Sequence, residues 1–422
     1  MADRVEACVR RIAIIGAGQA GLQLALGLQA ADYDVTLVSE RTAEQLRDGR
    51  VTSTQLMFGP ALALERAAGL NLWDDRAPVM RGLEMNQWDP TAEEPWSARF
   101  ATAYDAEVRS VDQRVKLSAW LELFEARGGR VEFRAADADD LAGIAARHEL
   151  TVVATGRGAL SSLFGRDEAR SVYDRPQRAL AAFYACGVTP RGDESDAYLR
   201  VTGMPSAGDA IVLQALTVGG PCEILLLEAK FGGPYDCWQD RPEPREGLRR
   251  AVELLRTYAP WEHERFARAE PTDGGAALYG AITPTVRHGV AALGAGQYVL
   301  GMADAVVVND PITGQGANNA ARAAAAYLDA IVRRGELQYD ERWMRETFDA
   351  YWEHTRYVHA FTDLMLRQPP AEHVSRLVRA TFEHPELAHR FANGYADPLD
   401  YHDWLMDPER ADACLVKLAG SR

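Results

Sequence analysis

The run Arg11-Ile-Ala-Ile-Ile15, Gly16-Ala-Gly18-Gln-Ala-Gly21, Leu22-Gln-Leu-Ala-Leu-Gly-Leu28 decides how this 422-residue chain is read. Five residues, mostly β-branched, predict a short buried strand. A G-x-G-x-x-G turn follows, and an almost wholly apolar helix leaves it. Asp34-Val-Thr-Leu-Val38 predicts a second strand, which closes on Ser39-Glu40 about 20 residues beyond the first glycine. In this setting the glycines divide the work. Gly16 makes the tight turn, Gly18 lets backbone approach a pyrophosphate, and Gly21 lets the helix pack on the strand. Gln19 and Ala20 complete the loop, and Glu40, with Arg41 beside it, is placed to accept from ribose hydroxyls. The plain alternative is a tight turn with no ligand.

Further along, a helix is predicted from about Gln113 to Arg127, stopped by Gly128-Gly129. Val131–Phe133 and Leu150–Ala154 read as more strands of the same sheet. From about Pro176 to Pro284, alternating runs such as Ala210–Val218 and Glu223–Ala229 sit between Gly/Pro breaks and predict an inserted antiparallel sheet. The nucleotide-type pattern returns at Tyr298-Val-Leu-Gly301. Asp304 follows that strand, and Asn309-Asp-Pro-Ile-Thr-Gly-Gln-Gly-Ala-Asn-Asn319 opens a helix. Two helix N-termini far apart in sequence fit a long ligand with a pyrophosphate at one end and a ring system at the other. The N–H groups around Gly314–Ala317 can stabilise negative charge there. From about Glu336 the chain reads as helical. The fold expected is α/β: a discontinuous Rossmann-like domain (1–60, 100–175, 285–335), an inserted sheet domain that binds substrate (61–99, 176–284), and a helical C-terminal region (336–422).

Composition narrows the function. The chain is 47% hydrophobic and 25% charged, which excludes a disordered or fibrous chain. A net charge of −15 disfavours nucleic acid and anionic lipid as partners. Five scattered cysteines, Cys8 among them, and no C-x-x-C argue for reduced thiols in a cytoplasmic protein rather than a disulfide framework. The N-terminal residues do not read as a signal peptide, and Ile12–Leu28 is too short and polar to span a bilayer. No pair of histidines has zinc spacing, so no metal is expected. The C-terminal aromatics read as core.

The chain resembles the two-component styrene/indole monooxygenases, flavoproteins of the para-hydroxybenzoate hydroxylase fold. The resemblance spans nearly the whole chain. It rests on Ile14–Leu22, Gly49-Arg50, Val111-Asp-Gln-Arg114, Glu125–Gly129, Val152-Val-Ala-Thr-Gly-Arg157, Pro176-Gln-Arg-Ala-Leu180 and Asp310-Pro-Ile-Thr-Gly-Gln-Gly-Ala-Asn318. It implies FAD as cofactor, bound as FADH2 for catalysis. Arg50 and Arg114 would contact the flavin, Asp304 a ribityl hydroxyl, and Thr155, Gly156, Pro311, Gly314, Gln315, Gly316, Ala317 and Asn318 the rest of the cofactor. Single-component hydroxylases carry an Asp-Gly motif where this chain has Thr155-Gly156-Arg157, and no second G-x-G-x-x-G is present for a nicotinamide. Both absences fit an oxygenase supplied by a separate NADH-dependent flavin reductase. Styrene-type members carry Asn-Thr-Val-Ala-His after the arginine. This chain reads Ser53-Thr-Gln55-Leu-Met57, the indole-type pattern.

The resemblance also places Met80, Leu83 and Val108 in the pocket with Ser53, Gln55 and Met57, and Ala303 replaces the glycine usual before Asp304. It implies a C4a-hydroperoxyflavin, formed with O2, that epoxidises a small aromatic alkene. Indole at C2=C3 is the first choice, with styrene epoxidation and sulfoxidation as side activities, and a homodimer is compatible with it. No residue is assigned as acid, base or nucleophile, because the cofactor carries the chemistry. The alternatives are a single-component NAD(P)H-dependent hydroxylase, a monooxygenase acting on a larger indole-bearing natural product, and a protein that binds FAD without turnover.

Overall fold

The computed structural model describes residues 9–90 and 96–420. Cys8 and the rest of the N-terminal stretch lie outside them. Arg11–Ile15 forms the centre of a six-stranded sheet, flanked in parallel register by Asp34–Ser39 and Leu150–Val153. Ile12 to Ile15 are at most 1% exposed, as a central strand covered on both faces requires. Arg130–Phe133 adds to one side. Gln297–Gly301 adds in parallel to the other and turns back into Val290–Gly294. The expected strands and the Gln113–Ala126 helix lie where the sequence places them.

Two helices pack together over this sheet, Gln19–Ala30 and Gly316–Arg334. The first is buried around most of its surface, which accounts for its nearly unbroken apolar run. The second follows a short 3-10 turn, Pro311–Thr313, and ends on Arg333, Arg334 and Gly335, basic side chains and a left-handed glycine suited to a helix C-terminus.

The second sheet is longer and curved. Its order is Glu270–Pro271, Arg178–Cys186, Gly220–Lys230, Gly208–Thr217, Tyr198–Met204, Met80–Asp89, Trp96–Ser110, Leu56–Met57, with Ala277–Gly280 also paired to Arg178–Cys186. It departs from expectation in two respects. It is not wholly antiparallel, since Gly82–Gln87 pairs in parallel with Tyr198–Gly203. The boundary expected at residue 100 falls inside the Trp96–Ser110 strand, which pairs with Met80–Asp89 from Trp96 to Ala103 and again at Val108. Turn signals locate strand ends, but they do not reveal which earlier strand a later one will join.

One face of the second sheet is covered by the Pro244–Tyr258 helix through Leu248, Ala251 and Leu255. Another part is covered by C-terminal helices through Phe361, Phe391, Tyr401 and Trp404. The upstream aromatics Trp343, Phe348, Tyr351 and Trp352 join the core of the first sheet, as their core reading required. Cys186, Cys222, Cys237 and Cys414 are free thiols. Among the described residues no helix is long and apolar enough to cross a membrane.

Contact is closest at the first turn of the Gln19–Ala30 helix. A Cβ on Gly21 would lie 2.0 Å from the Gly16 carbonyl oxygen, whereas one on Gly18 would meet only the Ala154 oxygen, at 3.9 Å. Gly21→Ala is therefore expected to lose about 1–3 kcal/mol of stability through overpacking, with Gly18→Ala within about 0.5 kcal/mol of wild type. Thermal unfolding followed by circular dichroism checks both.

Candidate active site

The two helix N-termini open on one cleft of about 490 Å³ at the carboxyl edge of the parallel strands, where open α/β sheets receive ligands. Neither helix has a side-chain cap or an acidic residue in its first turn. Four other helices are capped by Thr42, Asp112, Asp137 and Asp340, whereas Gly59–Ala67 and several more also lack a side-chain cap. Leaving both ends bare keeps their N–H groups and positive dipole ends available to an anionic or electron-rich ligand.

The glycines show which neighbour each one serves. Gly16 takes φ +112° and a Cβ there would sit 2.6 Å from the Ala154 oxygen, so its glycine serves the protein. Gly18 and Gly316 line the cleft, and a Cβ on Gly316 would meet nothing within 4 Å. Their missing side chains leave room in the cleft itself. Gly314, with φ +63°, turns the chain between the 3-10 turn and the second helix.

Gln19, Ala20, Glu40, Arg41, Thr155, Gly156, Asp304, Pro311 and Ala317 line the same cleft, as do Ser53 and Gln55. Arg134 and Arg157 line it as well and were not singled out from the sequence. Asp304 is half-buried. Burial raises its carboxyl and Arg157 opposes the rise in part, leaving it at about 6.

Other expected residues stand behind the cleft. Gly21 packs against the Gly16 turn. Asn318 accepts from the Phe58 N–H at 2.9 Å and donates to the Leu56 and Gly314 carbonyls, each at 2.9 Å, so it sews the Leu56–Met57 strand to the Gly314 turn. Gln315 donates to the Tyr395 carbonyl at 2.8 Å and ties that turn to the C-terminal helices. Arg114 is buried and fully engaged: it donates to Asp112 at 2.9 Å, to both oxygens of Asp273 at 2.9 Å and to Thr217 at 3.1 Å. Burial opposes its charge, but the hydrogen bonds to Asp273 and Asp112 outweigh burial and hold the guanidinium above its ordinary pKa. From its helix Gln113 and Leu117 reach the cleft instead. Arg50 is exposed, 3.6 Å from Glu243, outside the lining.

The expected apolar wall is also elsewhere. Met57 is buried with its sulfur 2.9 Å from the Lys116 ammonium, and Met80, Leu83 and Val108 lie in the core between the second sheet and the C-terminal helices. The wall that lines the cleft is made by Leu180, Ala182, Leu226, Leu278 and Ile282. Leu226 and Leu278 both pair with Ala182, so these side chains share one sheet face. The Pro-Gln-Arg-Ala-Leu180 run marked this strand, but strand alternation alone does not say which face meets a ligand.

At the edge of that wall Gln55 is 3% exposed and takes φ +33°, a conformation costly for a side-chain-bearing residue. Its Nε2 donates to the Tyr184 hydroxyl at 2.8 Å, and that hydroxyl donates to the Ser53 carbonyl at 2.6 Å. The tyrosine proton being committed to Ser53, the amide must present its NH2 to Tyr184. Its Oε1 is left buried without a partner.

FAD fits these residues: two bare helix N-termini, two glycines with no steric need to be glycine, and a carboxyl between them. Gly18→Ala and Gly316→Ala are expected to weaken FAD binding at least ~10-fold, about 1.4 kcal/mol, read by quenching of flavin fluorescence. Asp304 accepts best when ionised, so FAD affinity should rise with pH through about 6, and Asp304→Asn should flatten that rise.

Comparison with known proteins agrees. Residues 156–265 match the family model of the styrene monooxygenase A substrate-binding domain. The chain is 28% identical over 412 residues to the styrene monooxygenase StyA of Pseudomonas fluorescens, covering 95% of this chain and 96% of that one. It is 29% identical, with the same coverage, to StyA of a Pseudomonas species. Among solved structures it resembles the flavin-dependent brominase Bmp2 (TM-score 0.68, 12% identity, 98% and 100% of the two chains). It also resembles Pseudomonas aeruginosa PqsL in complex with 2-aminobenzoylacetate (TM-score 0.59, 17% identity, 85% and 96%). Over nearly its whole length the chain is thus similar to the styrene monooxygenase StyA, on a fold shared with flavin-dependent enzymes of known structure and with two helix N-termini meeting at one cleft.

Proposed function

We propose that the chain is the oxygenase component of a two-component flavoprotein monooxygenase that epoxidises a small aromatic alkene, with indole at C2=C3 the preferred substrate. FAD in reduced form, delivered by a separate NADH-dependent reductase, supplies the electrons that activate O2. One oxygen atom goes to the alkene and the other leaves as water while FADH2 becomes FAD. The observation that carries the reading is the single cleft that runs from the Gly18 turn past Asp304 to the Gly316 turn and meets the apolar wall at Gln55.

The protein's part is to bind, orient and keep dry. The bare helix ends hold the pyrophosphate and the electron-rich edge of the ring, and Glu40 and Asp304 accept from sugar and ribityl hydroxyls. Leu180, Ala182, Leu226, Leu278 and Ile282 exclude water and suit a flat hydrocarbon face. Gln55 lines the cleft and carries a buried acceptor without a donor, and a turn of its side chain into the cleft would let that oxygen take an N–H from the substrate. Indole has such a group and styrene does not, which favours indole and its larger relatives within this reading.

Reduced FAD generated by a reductase, with air and indole, should yield indigo through the epoxide, and styrene and aryl sulfides should be oxidised more slowly. Gln55→Leu should lower kcat/KM for indole about tenfold or more and leave styrene oxidation nearly unchanged. Hydrogen peroxide as the sole product from all three substrates would refute the proposal. Bleaching of bound FAD by NADH alone would make the enzyme a single-component hydroxylase.

A further inference from the structure

Behind the cleft an ion pair is buried in a place where stability alone does not call for one. Lys116, on the Gln113–Ala126 helix, and Glu65, on the Gly59–Ala67 helix, are each 1% exposed and 2.5 Å apart. The ammonium also reaches the Met57 sulfur at 2.9 Å and lies 5.2 and 5.3 Å from the ring centres of Trp73 and Trp120. Burying two charges costs several kcal/mol per ion, and apolar residues of equal volume commonly do as well or better. Burial accordingly raises the Glu65 carboxyl above its ordinary pKa and lowers the Lys116 ammonium below its own. Glu65 Oε2 has no partner, so the pair is not fully repaid by hydrogen bonds.

What the pair does have is a connection to both ends of the cleft. Gln19 opens the first helix and lines the cleft. Its Nε2 lies 3.1 Å from the Ala317 carbonyl in the first turn of the second helix, 3.4 Å from Glu65 and 3.5 Å from the Met57 sulfur. A single amide thus spans the two glycine turns, and the carboxylate that orients it is held in place by Lys116. Gln19 Oε1 is itself buried and without a partner.

We propose that Lys116 and Glu65 are positioning residues for the cofactor, acting through Gln19 to fix the separation of the Gly18 and Gly316 turns that a dinucleotide must bridge. The inference rests on FAD being the ligand. It gives a binding role to residues that touch no ligand, and it makes Met57 a member of this network instead of a substrate contact.

The test compares a ligand that spans both turns with one that reaches only the first. FAD and ADP affinities are measured by fluorescence and calorimetry on the full chain, wild type against Lys116→Met combined with Glu65→Leu, with apo-protein melting followed in parallel. FAD should bind at least ~10-fold more weakly, ADP should bind as before, and the melting temperature should stay near wild type. Equal losses for both ligands, or no loss for either, overturns the proposal. Should the double variant fail to fold, Gln19→Leu, which keeps the ion pair, is read by the same FAD and ADP ratio, and an unchanged ratio overturns it equally. Wild-type protein that binds no FAD would instead sink the cofactor reading.

Discussion

Backbone contact at the end of the central strand sets the geometry of everything around the cleft. Gly16 sits so close to Ala154 that a Cβ would overlap its carbonyl, and Gly21 sits closer still to Gly16. These approaches bring the first helix directly onto the sheet with its N-terminus at the carboxyl edge, between the Leu150–Val153 and Asp34–Ser39 strands. Residues 154–160 then line one side of the cleft and Ser39–Arg41 the other. Larger residues at these two positions would tilt the helix away and separate the donors from the acids that accept from the same ligand.

The opposite end is built by long-range side-chain bonds instead of close backbone packing. Asn318 joins the Gly314 turn to the Leu56–Met57 strand, and Gln315 joins it to Tyr395 in the C-terminal helices. Arg114 ties the start of its helix to Asp273 and Thr217 of the inserted region. The residues conspicuous in the motif therefore divide into those that face the ligand and those that hold the ligand-facing backbone still. Arg114 illustrates the second kind: besides its local bond to Asp112, it joins its helix to Gly49, Thr217 and Asp273, all distant in sequence.

This division explains what the sequence could and could not reveal. A glycine turn between a strand and a helix is local, and its chemistry follows from three spacings, so the Gly16–Gly21 loop, Glu40 and the Gly314–Ala317 turn were legible. The inserted sheet was legible as strands but not as a set of faces. Met57, Met80 and Val108 are apolar, yet the fold turns them into packed interior, whereas Leu226 and Leu278, far along the chain, meet Ala182 at the cleft wall. Period-two alternation gives two faces, and only the strand order of the second sheet decides which of them borders a ligand. The parallel pairing of Gly82–Gln87 with Tyr198–Gly203 was invisible for the same reason.

Gln55 is where these two kinds of information meet. Its position was readable from the Ser53-Thr-Gln55-Leu-Met57 pattern, but its chemistry depends on Tyr184, 129 residues away. The tyrosine gives its one proton to the Ser53 carbonyl, so it can only accept from Gln55, and that fixes which end of the amide is free. A buried acceptor in a strained backbone is stable only because the surrounding bonds leave it no alternative. Apolar walls separate ligands of similar shape weakly, by about 1–3 kcal/mol for a methylene, whereas a site built to hydrogen-bond a polar group rejects analogues that lack it far more strongly. In the proposed reaction, discrimination among flat aromatics therefore falls to one glutamine oxygen, and the leucines around it set only how large such a molecule can be.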